Sequence, residues 1–177
     1  MRDEERLGLP RWLDVMGALA GLVLASPLVA LATFAVKLCS RGPVLFRQER
    51  IGRDGRPFTL LKLRTMRTAK TGAVVTAAGD PRVTAVGRLL RKTKLDELPK
   101  LWNVVRGEMA LVGPRPEVPS LVRTDEPAWR KVLAVRPGVT DPVTLALLNE
   151  EKLLASVADP EAHYQEHLLE FKLEGLP

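Results

Sequence analysis

The longest apolar stretch of the chain lies near its N-terminus, between the charged residues Asp14 and Lys37. Its 22 residues, 15–36, include only two polar side chains, Ser26 and Thr33. A straight helix of this length is about 33 Å long, and the hydrocarbon core of a bilayer is about 30 Å thick. The pattern predicts a membrane helix rather than a secretory signal, whose apolar core is shorter.

Ser26 and Pro27 lie at the midpoint of this apolar segment. Proline removes a backbone donor and clashes with the preceding turn, so a break in the helix is predicted there. Basic residues flank both ends of the segment, and basic flanks favour the cytoplasmic side of a membrane. This combination favours a re-entrant hairpin with both ends in the cytoplasm, and a kinked single span is the alternative.

The pattern after the apolar segment changes to short alternating runs. Residues 44–46 and 57–61 are apolar and flank a polar turn at Gly52–Gly55, which predicts two short strands in a β-hairpin. Small polar residues at 68–80 predict a loop. Residues 143–174 carry leucines at helical spacing and are predicted to be helical.

Two helices are predicted between these regions. Asp80 and Pro81 are typical of a helix start, with the aspartate as the cap and the proline in the first turn. Apolar residues then recur at 98, 101, 102 and 105, and Gly107 provides a stop. The adjacent carboxylates Asp96 and Glu97 therefore fall at or next to the start of the second helix.

The positive charge of the protein is concentrated in the middle of the chain. The net charge is +6, but residues 41–106 carry +11 and residues 107–177 carry −5. Such a basic region suits nucleic acid, an anionic lipid surface or a phosphorylated substrate. The single cysteine, Cys39, excludes a disulfide framework.

Asp96 and Glu97 are the first candidates for chemistry. Nearby cations and a helix N-terminus both favour the ionised form of a carboxylate, and an ionised aspartate is what nucleophilic attack on phosphorus requires. The alternative is simple helix capping, for which aspartate is a preferred residue.

Two arginines lie in stiff, proline-containing elements. Arg115 stands between Pro114 and Pro116, and Arg136 precedes Pro137. Prolines limit backbone freedom, and a guanidinium can contact phosphate through two parallel hydrogen bonds. A loop arginine in solvent is the alternative for each.

Five blocks in the right order resemble one family, the bacterial sugar transferases, which are monotopic polyprenyl-phosphate phosphoglycosyl transferases. The resemblance covers about residues 11–142. The blocks are the Ser26–Pro27 break, FRQERIG (46–52), FTLLKLRTM (58–66), LDELPKLWNVVRGEMALVGPRPE (95–117) and VRPGVTDP (135–142).

The resemblance implies a covalent mechanism. Asp96 would attack the phosphate bonded to the sugar of a nucleoside-diphosphate sugar, releasing the nucleoside monophosphate. Polyprenyl phosphate would then take the phosphosugar. Glu97 is implied in Mg²⁺ binding. The residues implied in phosphate or substrate binding are Lys62, Arg64, Arg91, Arg115 and Arg136.

The same resemblance implies an α/β fold that is mostly helical, with a small β-hairpin. Residues 1–40 would form the re-entrant membrane hairpin and its flank, and residues 41–177 a cytoplasmic catalytic domain with interfacial helices. The expected enzyme uses a UDP-sugar and undecaprenyl phosphate at the inner membrane, on its cytoplasmic face. It would release UMP in the first membrane step of glycoconjugate assembly.

Two departures from the family pattern qualify these expectations. Asp141-Pro142-Val143-Thr144 replaces the commoner Gly-Trp-Ala-Gln after the RPG block, which indicates a different subgroup and bears on sugar recognition. The chain also resembles the minimal catalytic form, without a large N-terminal extension.

Two other classes of protein remain to be weighed. A non-enzymatic, membrane-anchored module that binds anionic lipid would explain the apolar segment and the charge, but not the blocks at 95–117. Nucleic acid is not expected as a partner, because aromatic residues make up only 5% and no recognised motif occurs. The sequence leaves a homodimer open.

Overall fold

The computed structural model describes residues 9–67, 79–141, 153–154, 156–157 and 159–169. This part of the chain is mainly helical with two small sheets, which confirms the predicted fold class in outline. The predictions for 68–78, and for most of 143–174, lie outside the described residues. The elements in chain order are α1 (Arg11–Cys39), β1 (Leu45–Ile51), β2 (Pro57–Leu63), α2 (Ala85–Thr93), α3 (Lys100–Val105), β3 (Ala110–Val112), α4 (Pro127–Leu133), β4 (Gly138–Thr140) and α5 (Pro160–His163).

Helix α1 is long and apolar enough to cross a membrane, and it is the one described helix with these properties. One narrow face packs on the rest of the protein through buried Ala18, Ala32 and Val36. Apolar side chains cover the remaining faces, which suits contact with lipid. The exposed large apolar residues of α1 are Trp12, Met16, Leu19, Val23, Leu24, Leu28, Leu31, Phe34 and Leu38.

The predicted break at Ser26–Pro27 is not confirmed, because one helix runs from Arg11 to Cys39 with Pro27 inside it. Pro27 has no N–H to donate to the carbonyl of Val23, four residues earlier. The hydroxyl of Ser26 donates to that carbonyl instead, at 2.7 Å. The serine therefore satisfies the acceptor that the proline leaves free. The re-entrant placement of α1 stays a prediction.

The first turn of α1 is attached to the far end of α3. Arg11 donates hydrogen bonds to the backbone oxygens of Val104, Val105 and Met109. Buried Asp14 accepts a hydrogen bond from the backbone N–H of Leu111 at 2.9 Å. The guanidinium thus bonds to carbonyls at and after the C-terminal end of α3, and it joins α1 to α3.

The predicted hairpin is confirmed: β1 and β2 pair antiparallel, from Leu45 opposite Leu63 to Ile51 opposite Pro57. Asn103 of α3 binds the other edge of β2. Its side chain accepts from the N–H of Leu61 at 3.1 Å and donates to the oxygen of Thr59 at 2.7 Å. A buried amide with both ends bonded places α3 against β2 in a defined register.

A second sheet was not predicted from the sequence. Strands β3 and β4 pair in parallel, with Ala110 opposite Gly138 and Val112 opposite Thr140. Gly138 lies so close to β3 that a Cβ there would be 2.2 Å from the nitrogen of Gly113. The N–H of Gly138 also donates to the oxygen of Pro114 at 2.9 Å. This contact holds one end of the Pro114–Pro116 loop.

The predicted start of α2 at Asp80 is wrong, because the helix begins at Ala85 and Thr84 is its cap. The hydroxyl of Thr84 accepts the N–H of Gly87 at 2.9 Å. Asp80 instead closes a turn, where its side chain accepts from the N–H of Arg82 at 2.9 Å. The sequence offered two residues able to cap a helix, and the nearer one to the helical pattern is used.

The last described segment packs on α4. Tyr164 begins a π-helical turn, Tyr164–Leu168, that directly follows α5. The apolar cluster between this segment and α4 comprises Val118, Leu121, Trp129, Val132, Leu154, Tyr164, Leu168 and Leu169.

Candidate active site

Asp96 and Glu97 lie in a single 3-10 turn, Leu95–Glu97, between α2 and α3. Lys94, with φ of +57°, ends α2 and reverses the chain into this turn. The sequence prediction that both carboxylates lie next to the start of the second helix is therefore confirmed. Helix α3 spans only six residues, so its dipole contributes little and side-chain charge must control the site.

Glu97 lies between two lysines. One of its oxygens is 2.9 Å from the amine of Lys100, and the other is 3.5 Å from the amine of Lys62. Burial of Glu97 disfavours its charge, but Lys100 and Lys62 together outweigh burial and lower the pKa of Glu97 to about 2. Glu97 is therefore a carboxylate at any physiological pH.

Asp96 has the opposite character. It is 6% exposed, and its Oδ1 has no hydrogen-bond partner among the described residues. Burial raises the pKa of Asp96, and Lys62 acts against that shift. The residues at the cap positions are Lys94 and Pro99, without a side-chain cap bond, so this structure does not support capping as the role of the pair.

Burial also disfavours the charged, protonated form of the two lysines. Burial, and then the charge of Lys100, lower the pKa of Lys62 to about 7. Burial likewise lowers the pKa of Lys100. We call Lys62, Asp96, Glu97 and Lys100 the carboxylate cluster.

Arg91 and Arg115 lie beside this cluster. The positive charge of Arg91 acts on Asp96, and that of Arg115 acts on Glu97, Lys62 and Lys100. The Nε of Arg91 donates to the hydroxyl of Thr65 at 3.0 Å. Four cations thus surround two carboxylates, and the surplus of positive charge suits a ligand with phosphate groups.

The structure does not bring the other two predicted arginines into this cluster. Arg64 is 6% exposed and donates to the oxygen and hydroxyl of Ser40, beyond the end of α1. Arg136 donates to the oxygen of Gly107, past the opposite end of α3 from Asp96. Both contacts are with the protein's own backbone, and the predicted role of each arginine in substrate binding stays a prediction.

The charge of Arg115 also acts on a second buried ionic group. Glu117 accepts from the hydroxyl of Tyr164 at 2.6 Å and pairs with Arg50 at 3.4 Å. Arg50 also donates to the oxygen of Pro116 at 3.0 Å. We call Arg50, Glu117 and Tyr164 the Glu117 network.

The sequence prediction missed five residues at or around the site. Lys100 follows Glu97 at helical i+3 spacing, so its contact with Glu97 was detectable. The others meet partners 42 to 67 positions away, for which the sequence offers no local signal. They are Arg50, Asn103, Glu117 and Tyr164.

The same geometry bears on whether the residues of the carboxylate cluster could bind Mg²⁺. Among the described residues no group of three or more His, Cys, Asp or Glu could hold a metal ion. Mg²⁺, however, commonly uses one or two carboxylates together with substrate phosphates and water. The unbonded oxygen of Asp96 and the charged Glu97 meet that requirement, provided that Glu97 exchanges contact with its lysines.

Buried carboxylates thus lie next to a surplus of basic side chains, and comparison with known proteins identifies the family. The chain matches the model of the family described as "Bacterial sugar transferase" over residues 5–172, and it belongs to that family. The apolar helix α1 is consistent with the association of this family with membranes.

Relatives carry names that specify substrates. A Caulobacter vibrioides and an Escherichia coli protein, both named UDP-glucose:undecaprenyl-phosphate glucose-1-phosphate transferase, are 48% and 50% identical over 73% and 75% of this chain. An Aeromonas hydrophila protein named as a UDP-N-acetylgalactosamine-undecaprenyl-phosphate N-acetylgalactosaminephosphotransferase is 39% identical over 75% of it. The matched regions span 51%, 30% and 32% of these relatives.

Proposed function

We propose that this protein is a phosphoglycosyl transferase that moves a sugar 1-phosphate from a UDP-sugar onto undecaprenyl phosphate. The observation that carries the proposal is the buried carboxylate of Asp96, which keeps one oxygen without a hydrogen bond from any described residue, beside Lys62, Lys100 and Arg91. An oxygen with an unshared lone pair in a cation-rich site suits nucleophilic attack on phosphorus.

The reaction has two displacements at one phosphorus atom. In the first, an oxygen of Asp96 bonds to the phosphorus attached to the sugar, the bond to the bridging oxygen breaks, and UMP leaves with that oxygen. In the second, an oxygen of undecaprenyl phosphate bonds to the same phosphorus and the bond to Asp96 breaks. The product is undecaprenyl diphosphate sugar, and Asp96 is regenerated as a carboxylate.

The cations have separable roles in this scheme. Lys62 and Lys100 hold Glu97 ionised, and Arg115 and Arg91 add positive charge where the diphosphate of the donor would lie. Mg²⁺ bound through Glu97 would supply further neutralisation of the phosphate charge. The protein thus separates a charged, metal-binding carboxylate from a less hydrated, nucleophilic one.

The membrane placement follows from the two substrates. A polyprenyl chain is confined to the bilayer and a nucleotide sugar to the aqueous phase, so the reaction must occur at their boundary. Helix α1 supplies apolar contact and the region 41–106 supplies basic charge, which anionic headgroups attract. We place α1 as a re-entrant segment in the inner membrane, with the site on the cytoplasmic face, at the first membrane step of glycoconjugate assembly.

The deciding experiment measures UMP release by the purified protein with Mg²⁺, undecaprenyl phosphate and UDP-glucose, UDP-galactose or UDP-N-acetylgalactosamine. The expected result is release that continues beyond one UMP per protein molecule only when the lipid phosphate is present, and that disappears in Asp96→Asn. Asp125→Asn is the matched control, because Asp125 is an exposed carboxylate outside the carboxylate cluster.

A covalent adduct provides a second, independent readout. With UDP-sugar alone, the unsubstituted protein should gain the mass of a sugar phosphate on Asp96, and added undecaprenyl phosphate should remove it. UMP release that persists in Asp96→Asn would exclude the proposed nucleophile. Binding of anionic vesicles without any UMP release from the whole panel would favour the membrane-anchored lipid-binding module.

A further inference from the structure

Arg115 lies in a short loop whose backbone is held on both sides. Before it, the oxygen of Pro114 accepts the N–H of Gly138 at 2.9 Å. After it, the oxygen of Pro116 accepts from the side chain of Arg50 at 3.0 Å, and the oxygen of Glu117 accepts the N–H of Ile51 at 3.0 Å. Since prolines flank Arg115, these contacts restrict the loop to one path.

The side chain of Glu117 links this loop to the C-terminal segment. One of its oxygens accepts the hydroxyl of Tyr164 at 2.6 Å, and both residues are buried. The other oxygen pairs with Arg50, which in turn donates to Gln48 of β1 at 2.8 Å. A charge-assisted hydrogen bond in a dry environment is strong and directional.

The ring of Tyr164 is itself fixed. It packs in the apolar cluster with Trp129, Leu121 and Leu168, so the hydroxyl has little freedom to follow Glu117 if the loop moves. The Pro114–Pro116 loop therefore has a rigid anchor about 47 residues further along the chain.

We infer that Tyr164 is a positioning residue, which acts through Glu117 to hold the Pro114–Pro116 loop and thereby sets where Arg115 meets the phosphates of the donor. This inference rests on the proposed function for its kinetic consequences. It assigns a role to the C-terminal segment: that segment completes the donor site from a distance, without touching the donor. The charge of Arg115 acts both on Arg50 of the Glu117 network and on Glu97 of the carboxylate cluster, which makes Arg115 the route by which the one group affects the other.

The test uses Tyr164→Phe, which removes the hydroxyl and keeps the ring in the apolar cluster. The probes are UDP-glucose, UDP-galactose and UDP-N-acetylgalactosamine, with undecaprenyl phosphate and Mg²⁺. The expected result is a rise of about fivefold or more in the KM for the donor, with a smaller change in kcat, because Arg115 contacts the charged diphosphate both before and during the reaction, so its displacement weakens ground-state and transition-state binding alike. The KM for undecaprenyl phosphate should not change.

Leu168→Ala is the matched control for stability. Leu168 lies in the same apolar cluster and takes no part in the Glu117 network, so this variant should lower the melting temperature and raise the donor KM far less than Tyr164→Phe, because the bond between Tyr164 and Glu117 remains. An equal rise in donor KM in Leu168→Ala would overturn the inference, since any loosening of the cluster would then suffice.

A double variant tests whether Tyr164 acts on the donor site through Arg115. In an Arg115→Ala background, Tyr164→Phe should cause no further rise in donor KM, because the group it positions is gone. If the two effects multiply, Tyr164 acts by some other route and the inference fails.

Amide hydrogen exchange keeps the inference testable apart from the proposed function. Tyr164→Phe should speed exchange of the N–H groups of Ile51 and Gly138, which bond to the loop, and Leu168→Ala should do so far less. If the unsubstituted protein releases no UMP, the proposed function fails, and the exchange rates still decide whether Tyr164 holds the loop. Unchanged exchange in Tyr164→Phe would refute the inference whatever the activity.

Discussion

The charge of Arg115 acts on two buried ionic groups, and these groups differ in how completely the hydrogen bonds of their carboxylates are made. In the Glu117 network both carboxylate oxygens have partners, a tyrosine hydroxyl and a guanidinium. In the carboxylate cluster one carboxylate has two lysines, while its neighbour Asp96 keeps a buried oxygen that has no partner in the described part of the chain. Carboxylates whose oxygens are all bonded stabilise a fold. A carboxylate oxygen without a hydrogen bond is available to take part in a reaction.

The difference identifies Asp96 as a group that lowers the stability of the folded state. A buried charge without sufficient partners disfavours the folded state, and such groups persist where function needs them. Substitutions in the two groups should therefore have opposite consequences. Removing the charge of Asp96 should harm activity and spare the fold, and removing charge from the Glu117 network should harm the fold first.

The largest expected effect is that of Asp96→Asn on catalysis. Transfer should fall by about 10³-fold or more, because an amide cannot form the covalent bond to phosphorus. The melting temperature should stay the same or rise, because burial raises the pKa of Asp96 and the charged form is thus disfavoured in the fold. Both are measured on one preparation, by UMP release and by thermal unfolding in the same detergent.

A clear fall in the melting temperature of Asp96→Asn would contradict the comparison, since Asp96 would then stabilise the fold as Glu117 does.

The next largest effect is that of Glu117→Ala on stability. The substitution leaves Arg50 as a buried cation and the hydroxyl of Tyr164 without its acceptor, so the free energy of unfolding should fall by about 3 kcal/mol. Chemical denaturation measures the change. Glu126→Ala is the control, because Glu126 pairs with Arg123 at the surface and such pairs contribute about 0–1 kcal/mol. Equal losses in the two variants would mean that the Glu117 network is no more stabilising than a surface pair.

A smaller effect is expected from Lys100→Gln, and it depends on pH. The lysines lower the pKa of Glu97 from 4.5 to about 2, so the ionised carboxylate stabilises the fold above about pH 4.5. This stabilisation is lost as the pH falls through about 2. Lys100→Gln should raise that pKa, so the stability difference between the two proteins should change between pH 5 and pH 2. Lys131→Gln, at an exposed position of α4, should show no such change.

The stability difference between Lys100→Gln and the unsubstituted protein could also be constant from pH 5 to pH 2. That result would show that Lys100 does not control the ionisation of Glu97.

The smallest effect is expected from Arg50→Lys. The charge beside Glu117 is kept, but an amine cannot reproduce the separate contacts of the guanidinium with Pro116, Glu117 and Gln48. The free energy of unfolding should fall by about 1 kcal/mol, which thermal unfolding can resolve. A loss as large as that of Glu117→Ala would mean that geometry, rather than charge, dominates the Glu117 network.

The sequence predicted what local patterns determine. The apolar run predicted α1, the turn at Gly52–Gly55 predicted the hairpin, and the stop at Gly107 is used, with φ of +87°. The position of Asp96 and Glu97 next to α3 followed from the apolar stripe behind them. Each of these features is determined by residues that lie close to one another in the sequence.

The sequence could not predict contacts between distant residues. Strands β3 and β4 are three residues long, too short for an alternating pattern to be recognised. Arg64 and Arg136 are side chains of the type that binds phosphate, but in the fold one nitrogen of each donates to a backbone oxygen, that of Ser40 and that of Gly107. The link between Glu117 and Tyr164 depends on the packing of α4, which no motif specifies.

Helix α1 is attached to the rest of the protein near both of its ends, and this constrains its length. Asp14 is bonded to Leu111 near the start, and Ser40, just past the end, accepts from Arg64. Inserting one residue between these attachments would rotate the following part of the helix by about 100° and shift it by about 1.5 Å. Val36 would then leave the core and Ser40 would turn away from Arg64. The segment should accept exchanges among apolar residues far more readily than any insertion or deletion.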